Sequence, residues 1–147
     1  MMTNPGLYIV IVGCGRLGSH LANLLSGMGH SVVAIDQEET AFGRLSSDFS
    51  GFRIAGDATQ TSVLQEAKVH KANVLIATTH HDNVNLMVAQ VAKKIFNTPT
   101  VLARVFDPQR EKAYARLGVR TICPTSIAAG LFLNAVREEQ EITTPGT

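Results

Sequence analysis

Short runs of β-branched and apolar residues alternate along the chain with stretches whose apolar positions recur every three or four residues. This alternation predicts strands and helices in turn, the arrangement of a parallel sheet with connecting helices, and so an α/β fold of the Rossmann-like, doubly wound kind with six strands. The predicted strands are residues 7–12, 30–36, 52–55, 74–77, 100–104 and 119–122. A first helix carries Leu17, Leu21, Leu24, Leu25 and Met28 and stops at Gly29. Short helices are expected over residues 38–46 and 60–67, and a longer one bears the stripe Val84, Met87, Val88, Val91, Ala92 and Ile95. Residues 111–117 form another, with Pro108 near its start and Gly118 as its stop. The last helix, residues 126–138, carries Ile127, Leu131, Phe132, Leu133 and Val136 and is apolar on more than one face. The sheet is expected to cover one of those faces, leaving the other either as a partner surface or beneath a loop. Residues 139–147 read as a polar tail.

A length of 147 residues fits one domain, divided here into a nucleotide-binding body (1–125), the last helix (126–138) and the tail (139–147). With 45% hydrophobic and 17% charged residues and a net charge of +1, the composition is that of a globular rather than a disordered chain. The near-neutral balance and the lack of a basic helix argue against nucleic acid as a partner, and so against a redox-sensing DNA-binding repressor. The apolar runs are far shorter than the roughly 20 residues that span a bilayer, and residues 1–6 lack the features of a signal peptide, so a cytoplasmic location is expected. Cys14 and Cys123 lack metal or disulfide spacing, which fits a reducing compartment.

Candidate chemistry centres on the loop Gly13-Cys14-Gly15-Arg16-Leu17-Gly18, which follows a strand, opens a helix and precedes an acidic residue, Asp36, at the end of the next strand. Gly13 permits the tight turn, Gly15 lets a diphosphate approach the backbone, and Gly18 lets the helix pack on the sheet. The phosphates then meet free N–H groups at the helix N-terminus, where the helix dipole favours negative charge. The plainer alternative is a glycine turn that binds nothing. Arg16 is a cation where the dipole disfavours one, so it is either a phosphate contact or a solvated arginine. Asp36, with Gln37 beside it, is placed to accept from both adenosine ribose hydroxyls and to repel a 2′-phosphate, which favours NAD(H) over NADP(H); the alternative for Asp36 is a helix cap. Gly56, Asp57 and Ala58, followed by Thr59, border the adenine end, where Asp57 either binds base or ribose or caps a helix. Thr78 and Thr79 follow the fourth strand as hydroxyls near the phosphates or the second ribose. Next come His80 and His81, whose side chains point different ways, and Asp82, which suits an N-cap; a metal site there is not expected.

Taken together, the GCGRLG loop, Asp36, the GDAT at residues 56–59, the ATTHHDNVN at 77–85 and the ARVFDP at 103–108 give a chain that resembles, over nearly its whole length, the N-terminal lobe of the RCK/KTN (TrkA-N) domain family. The resemblance implies a cytoplasmic regulatory subunit, peripheral to the membrane through its partner, that gates a potassium transporter or channel and changes shape on binding NAD(H), ATP or ADP. It makes Arg16 the phosphate-facing arginine, Asp36 the ribose-binding acid, and Arg104 a further cofactor-binding candidate. It further implies homodimers stacked into an octameric ring, the last helix serving as a crossover that embraces a neighbour. Family members commonly carry a second, C-terminal lobe, which here is either supplied by a partner chain or lost by truncation. A small NAD-dependent oxidoreductase is the alternative function; it requires a substrate pocket and a proton-transfer group, for which His80 and His81 are the only candidates.

Overall fold

The computed structural model describes residues 6–143. Six strands, β1 (Tyr8–Val12), β2 (Ser31–Asp36), β3 (Phe52–Ala55), β4 (Val74–Ala77), β5 (Thr100–Arg104) and β6 (Arg120–Ile122), form one sheet in the order β3-β2-β1-β4-β5-β6. Every pairing is parallel, in registers such as Val10 against Val33 and Leu75 against Val101. The helices are α1 (Arg16–Gly27), α2 (Thr61–Glu66), α3 (Asp82–Lys94), α4 (Pro108–Ala115) and α5 (Pro124–Thr143). The strand order reverses between β1 and β4, the switch point beside which ligands of open α/β sheets bind.

The central strands are apolar at every position because both faces of the sheet are covered. One face sets Ile9, Ile11, Val32 and Ala34 against Ala22, Leu21 and Leu25 of α1 and against Ala41, Leu45 and Phe49. The opposite face sets Val10, Val12, Val33, Ile35, Leu75 and Val101 against Leu64 of α2 and Val88, Ala89 and Ala92 of α3. Strand β3 lies at an edge, and its Phe52 remains exposed.

The expected six strands are present, with small shifts at their ends. The helix expected over residues 38–46 is instead a 3-10 turn, Glu39–Arg44, entered and left through extended backbone at Glu38 and Leu45. A second such turn, Val69–Lys71, begins after Lys68 in the left-handed region, φ 57°. The larger difference is α5. It starts at Pro124, whose fixed φ suits a first turn, and stays helical to Thr143, past the start of the expected tail; residues 144–147 lie outside the described residues. None of its residues is buried. The sheet therefore covers neither side of α5: Ile127, Leu131, Phe132, Leu133, Val136 and Ile142 are all exposed. No helix among the described residues is long and apolar enough to cross a membrane.

Candidate functional site

A cleft of about 440 Å³ opens where β1, β2 and β4 end. Its floor is the glycine loop. Gly13 has φ +98°, and a Cβ there would press on the Thr78–Thr79 backbone at 2.9 Å, so the turn requires glycine. A Cβ on Gly18 would overlap the Gly13 carbonyl oxygen and come within 2.7 Å of Thr78 Oγ1, which is how the loop fixes the close approach of α1. Above Gly15 the space is open except for the His80 imidazole, with Nε2 3.3 Å from where a Cβ would stand. The first intrahelical bond of α1 runs from Ser19 N to Gly15 O at 2.9 Å, so the N–H groups before Ser19 have no partner within the helix. No side chain caps this end and no acid lies in the first turn of the helix.

Asp36 closes the β2 side. Its Oδ2 accepts from Cys14 N at 2.7 Å and its Oδ1 from Glu38 N at 2.8 Å, so the carboxylate is aimed from both oxygens while each keeps capacity for a further donor. The Cys14 thiol itself is buried beneath the loop, and burial above all, with the Asp36 charge adding, pushes its pKa up against the opposing pull of Arg44 and Arg53. Asp57 sits next along. Thr59 donates to Asp57 Oδ1 from its hydroxyl at 2.7 Å and its N–H at 2.9 Å, and these bonds, the hydroxyl first, hold the Asp57 carboxyl below the usual range.

On the β4 side both threonine hydroxyls also bond the protein itself. Thr78 is buried, and its Oγ1 donates back to the carbonyls of Val12 and Gly13, both at 3.1 Å, so its proton serves the loop. Thr79 donates from N and from Oγ1 to Asn85 Oδ1 at 2.8 and 2.6 Å. Asn85, fully buried in α3, returns bonds from Nδ2 to the carbonyls of Thr79 and Arg104, each at 3.0 Å. Asp82 is the first residue of α3 rather than its N-cap, which is His81. Its carboxylate instead accepts from Phe106 N at 2.8 Å and Asp107 N at 3.4 Å.

Among the residues singled out from sequence, Gly13, Gly15, Asp36, Gln37, Gly56, Asp57, Ala58, Thr78 and Thr79 line the cleft together. Cys14, Leu17 and Gly18 belong to the loop but do not line it, and Arg16 stands exposed at the start of α1, its guanidinium without a hydrogen-bond or ion-pair partner among the described residues. Arg104, expected among the cofactor contacts, is not a lining residue but braces two that are. Its guanidinium donates to the carbonyls of Thr78 at 2.7 Å and Thr79 at 3.0 Å and lies 4.4 Å from the centre of the Phe106 ring. Burial lowers its pKa, with Asp82 opposing. Sequence reasoning missed Glu38, Thr40 and Arg44, which complete the β2 side, and assigned no ligand role to the cleft-lining His80. Their only signal was proximity to Asp36 and to the β4 terminus. No cluster of His, Cys, Asp or Glu suited to a metal ion occurs among the described residues.

A family model described as the TrkA-N domain matches residues 9–124. The chain is 42% identical over 127 residues to the Trk system potassium uptake protein TrkA of Streptomyces coelicolor, covering 86% of this chain and 57% of that protein. It is 36% identical over 125 residues to the TrkA homolog of Methanothermobacter thermautotrophicus, covering 84% and 57%. The chain thus spans little more than half the length of these relatives. Among solved structures, the TrkA-N domain of the inner membrane protein ybaL from Escherichia coli superposes with TM-score 0.78 at 19% identity, over 90% of this chain and 98% of that one. The GsuK channel bound to NAD gives 0.78 at 20% identity, over 95% and 25%, and the AMP-bound Kef C-terminal domain of Shewanella denitrificans gives 0.73 at 26%, over 88% and 80%.

Proposed function

The chain belongs to the TrkA-N domain family, and we propose on that footing that it is a nucleotide-binding regulatory unit of a potassium uptake or conductance system. Its ligand is NAD(H) or an adenine nucleotide such as ATP or ADP. One observation carries this reading: an uncapped helix N-terminus, a glycine face open to the cleft and an aimed carboxylate at the end of β2 converge on one space. Those three features match in turn a diphosphate, its close approach and a ribose. The cleft volume, about 440 Å³, lies within the roughly 300–1,000 Å³ usual for small-ligand sites. The structural relatives bound to NAD and to AMP lend the same support.

Regulation requires that ligands bind two assembly states with different affinity, since equal affinity shifts nothing. The uncovered apolar α5 supports pairing with a second copy of the chain, and by extension a ring that presents the ligand state to a membrane transporter or channel subunit from the cytoplasmic side. A second lobe, in the same or a partner chain, would complete the unit. A small dehydrogenase gains no comparable support, because its proton-transfer group would have to be His80 or His81 at the cleft rim and the relatives carry the names of potassium uptake proteins.

Calorimetric titration of the purified chain with NADH, NAD, ATP, ADP and AMP tests the proposal, alongside mass spectrometry of any nucleotide released on denaturation. Micromolar binding of at least one is expected, at about 8 kcal/mol. Absence of binding by all five overturns it.

A further inference from the structure

Among the described residues, His80 is the one side chain within 4 Å of the open face of Gly15. A Cβ placed on Gly15 would find His80 Nε2 at 3.3 Å and Cε1 at 3.7 Å, and no other atom of the described residues within 4 Å. The imidazole has no hydrogen-bond partner among the described residues, although it lines the cleft. Its far side is supported by Phe106, ring centres 6.3 Å apart at 27°, and Phe106 is itself packed by the Arg104 guanidinium.

The backbone beneath the imidazole is fixed. Thr78 N bonds Val12 O at 2.7 Å, Thr79 is tied on three atoms to Asn85, and Arg104 holds both threonine carbonyls. The chain leading to the His80 ring is therefore held as far as Thr79. Asp36 lies on β2 and His80 follows β4, with β1 and its glycine loop between them. A nucleotide with its ribose at Asp36 would carry its phosphates across Gly15 toward the imidazole.

We propose that His80 is a specificity residue of the cleft, donating from Nε2 to the second phosphate of the bound nucleotide and so favouring diphosphates over monophosphates. This rests on the nucleotide-binding reading above. Imidazole N–H to phosphate is a hydrogen bond to a charged acceptor, the stronger class. The rival role is obstruction, in which the ring merely fills the space and must leave before any phosphate enters.

Calorimetry with ADP and AMP on the wild type, His80→Ala, His80→Gln and His80→Phe separates the two. A donor role predicts ADP affinity about 5–50-fold weaker in His80→Ala and His80→Phe. His80→Gln, which keeps an N–H donor, should stay within about threefold of the wild type. AMP should change less than about twofold in all three variants, since it lacks the phosphate concerned. ADP binding by His80→Ala at or above wild-type strength overturns the proposal, as does an equal loss for AMP and ADP. If the wild type binds neither, the nucleotide reading itself fails, and this inference with it. Matching thermal midpoints establish that each variant is folded.

Discussion

The buried amide of Asn85 donates to the Arg104 carbonyl oxygen at 3.0 Å, joining the first turns of α3 to the last residue of β5. The same side chain accepts from Thr79 N and Oγ1, while Arg104 reaches back to the carbonyls of Thr78 and Thr79. Two loops at the carboxyl edge of the sheet are thereby closed into one bonded circuit. A loop whose polar groups are satisfied internally holds its shape before a ligand arrives, which lowers the ordering cost of binding.

Asn85→Ala removes four bonds from a fully buried site, among them those to Thr79 N and to the Arg104 carbonyl. The expected loss is about 2–4 kcal/mol of unfolding free energy, at the upper end of single substitutions. Urea denaturation checks it. A loss under about 0.5 kcal/mol would mean that the circuit contributes nothing to the fold.

Two glycines of helix α1 should respond oppositely to the same change. Gly18→Ala drives a methyl into the Gly13 carbonyl and toward Thr78 Oγ1, and is expected to cost about 3 kcal/mol or more while displacing the loop. Gly27→Ala meets nothing within 4 Å and should stabilise by about 0.5–1 kcal/mol through helix propensity. Paired thermal melts of the two variants provide the comparison.

Arg16 and Arg104 separate binding from stability. Arg16 is exposed with no protein partner, so Arg16→Ala should leave the melting temperature unchanged yet weaken ADP about fivefold or more. Arg104→Ala strips the donors from two loop carbonyls and should lower stability by about 1–3 kcal/mol. An Arg16→Ala chain that binds ADP as the wild type does, measured by calorimetry, removes Arg16 from the site.

Acid sensitivity follows from Asp57. Its carboxyl lies below the usual range in the folded chain because the Thr59 hydroxyl, and then the Thr59 N–H, donate to it. Unfolding restores the ordinary value near 3.9, so the group favours folding above that pH and ceases to as acid protonates it in the folded state. Asp57→Asn should therefore be less stable than the wild type at neutral pH, the gap closing as pH falls below about 4. Urea midpoints taken across that window report the gap, and a constant difference at every pH would assign the effect to something other than this ionisation.

Much of the molecule could be read from residue pattern alone. The spans 74–77 and 100–104 are strands at those limits because buried parallel strands carry apolar runs bounded by turn residues, whereas 52–55, at the exposed edge, is delimited by Gly51 and Gly56. Gly13 and Gly18 carried their geometry in their spacing. The orientation of Arg104 did not, since its position at a strand end places it near the cleft but only packing against Phe106 decides which way it faces. Asn85 lay inside a helical stripe and looked like a polar interruption, its value depending on two loops distant in sequence. Similarly, an apolar α5 implied cover, and a single chain cannot reveal that the sheet provides none.

That helix has a consequence for motion. None of its twenty residues is buried, and most helical stability in proteins comes from packing of an apolar face rather than from the helix alone. Amide hydrogens along α5 should exchange with solvent far sooner than those of β1 or β4 whenever the molecule is alone, and slow when another surface lies against it. The terminal segment is thus a built-in gauge of company, readable one peptide at a time.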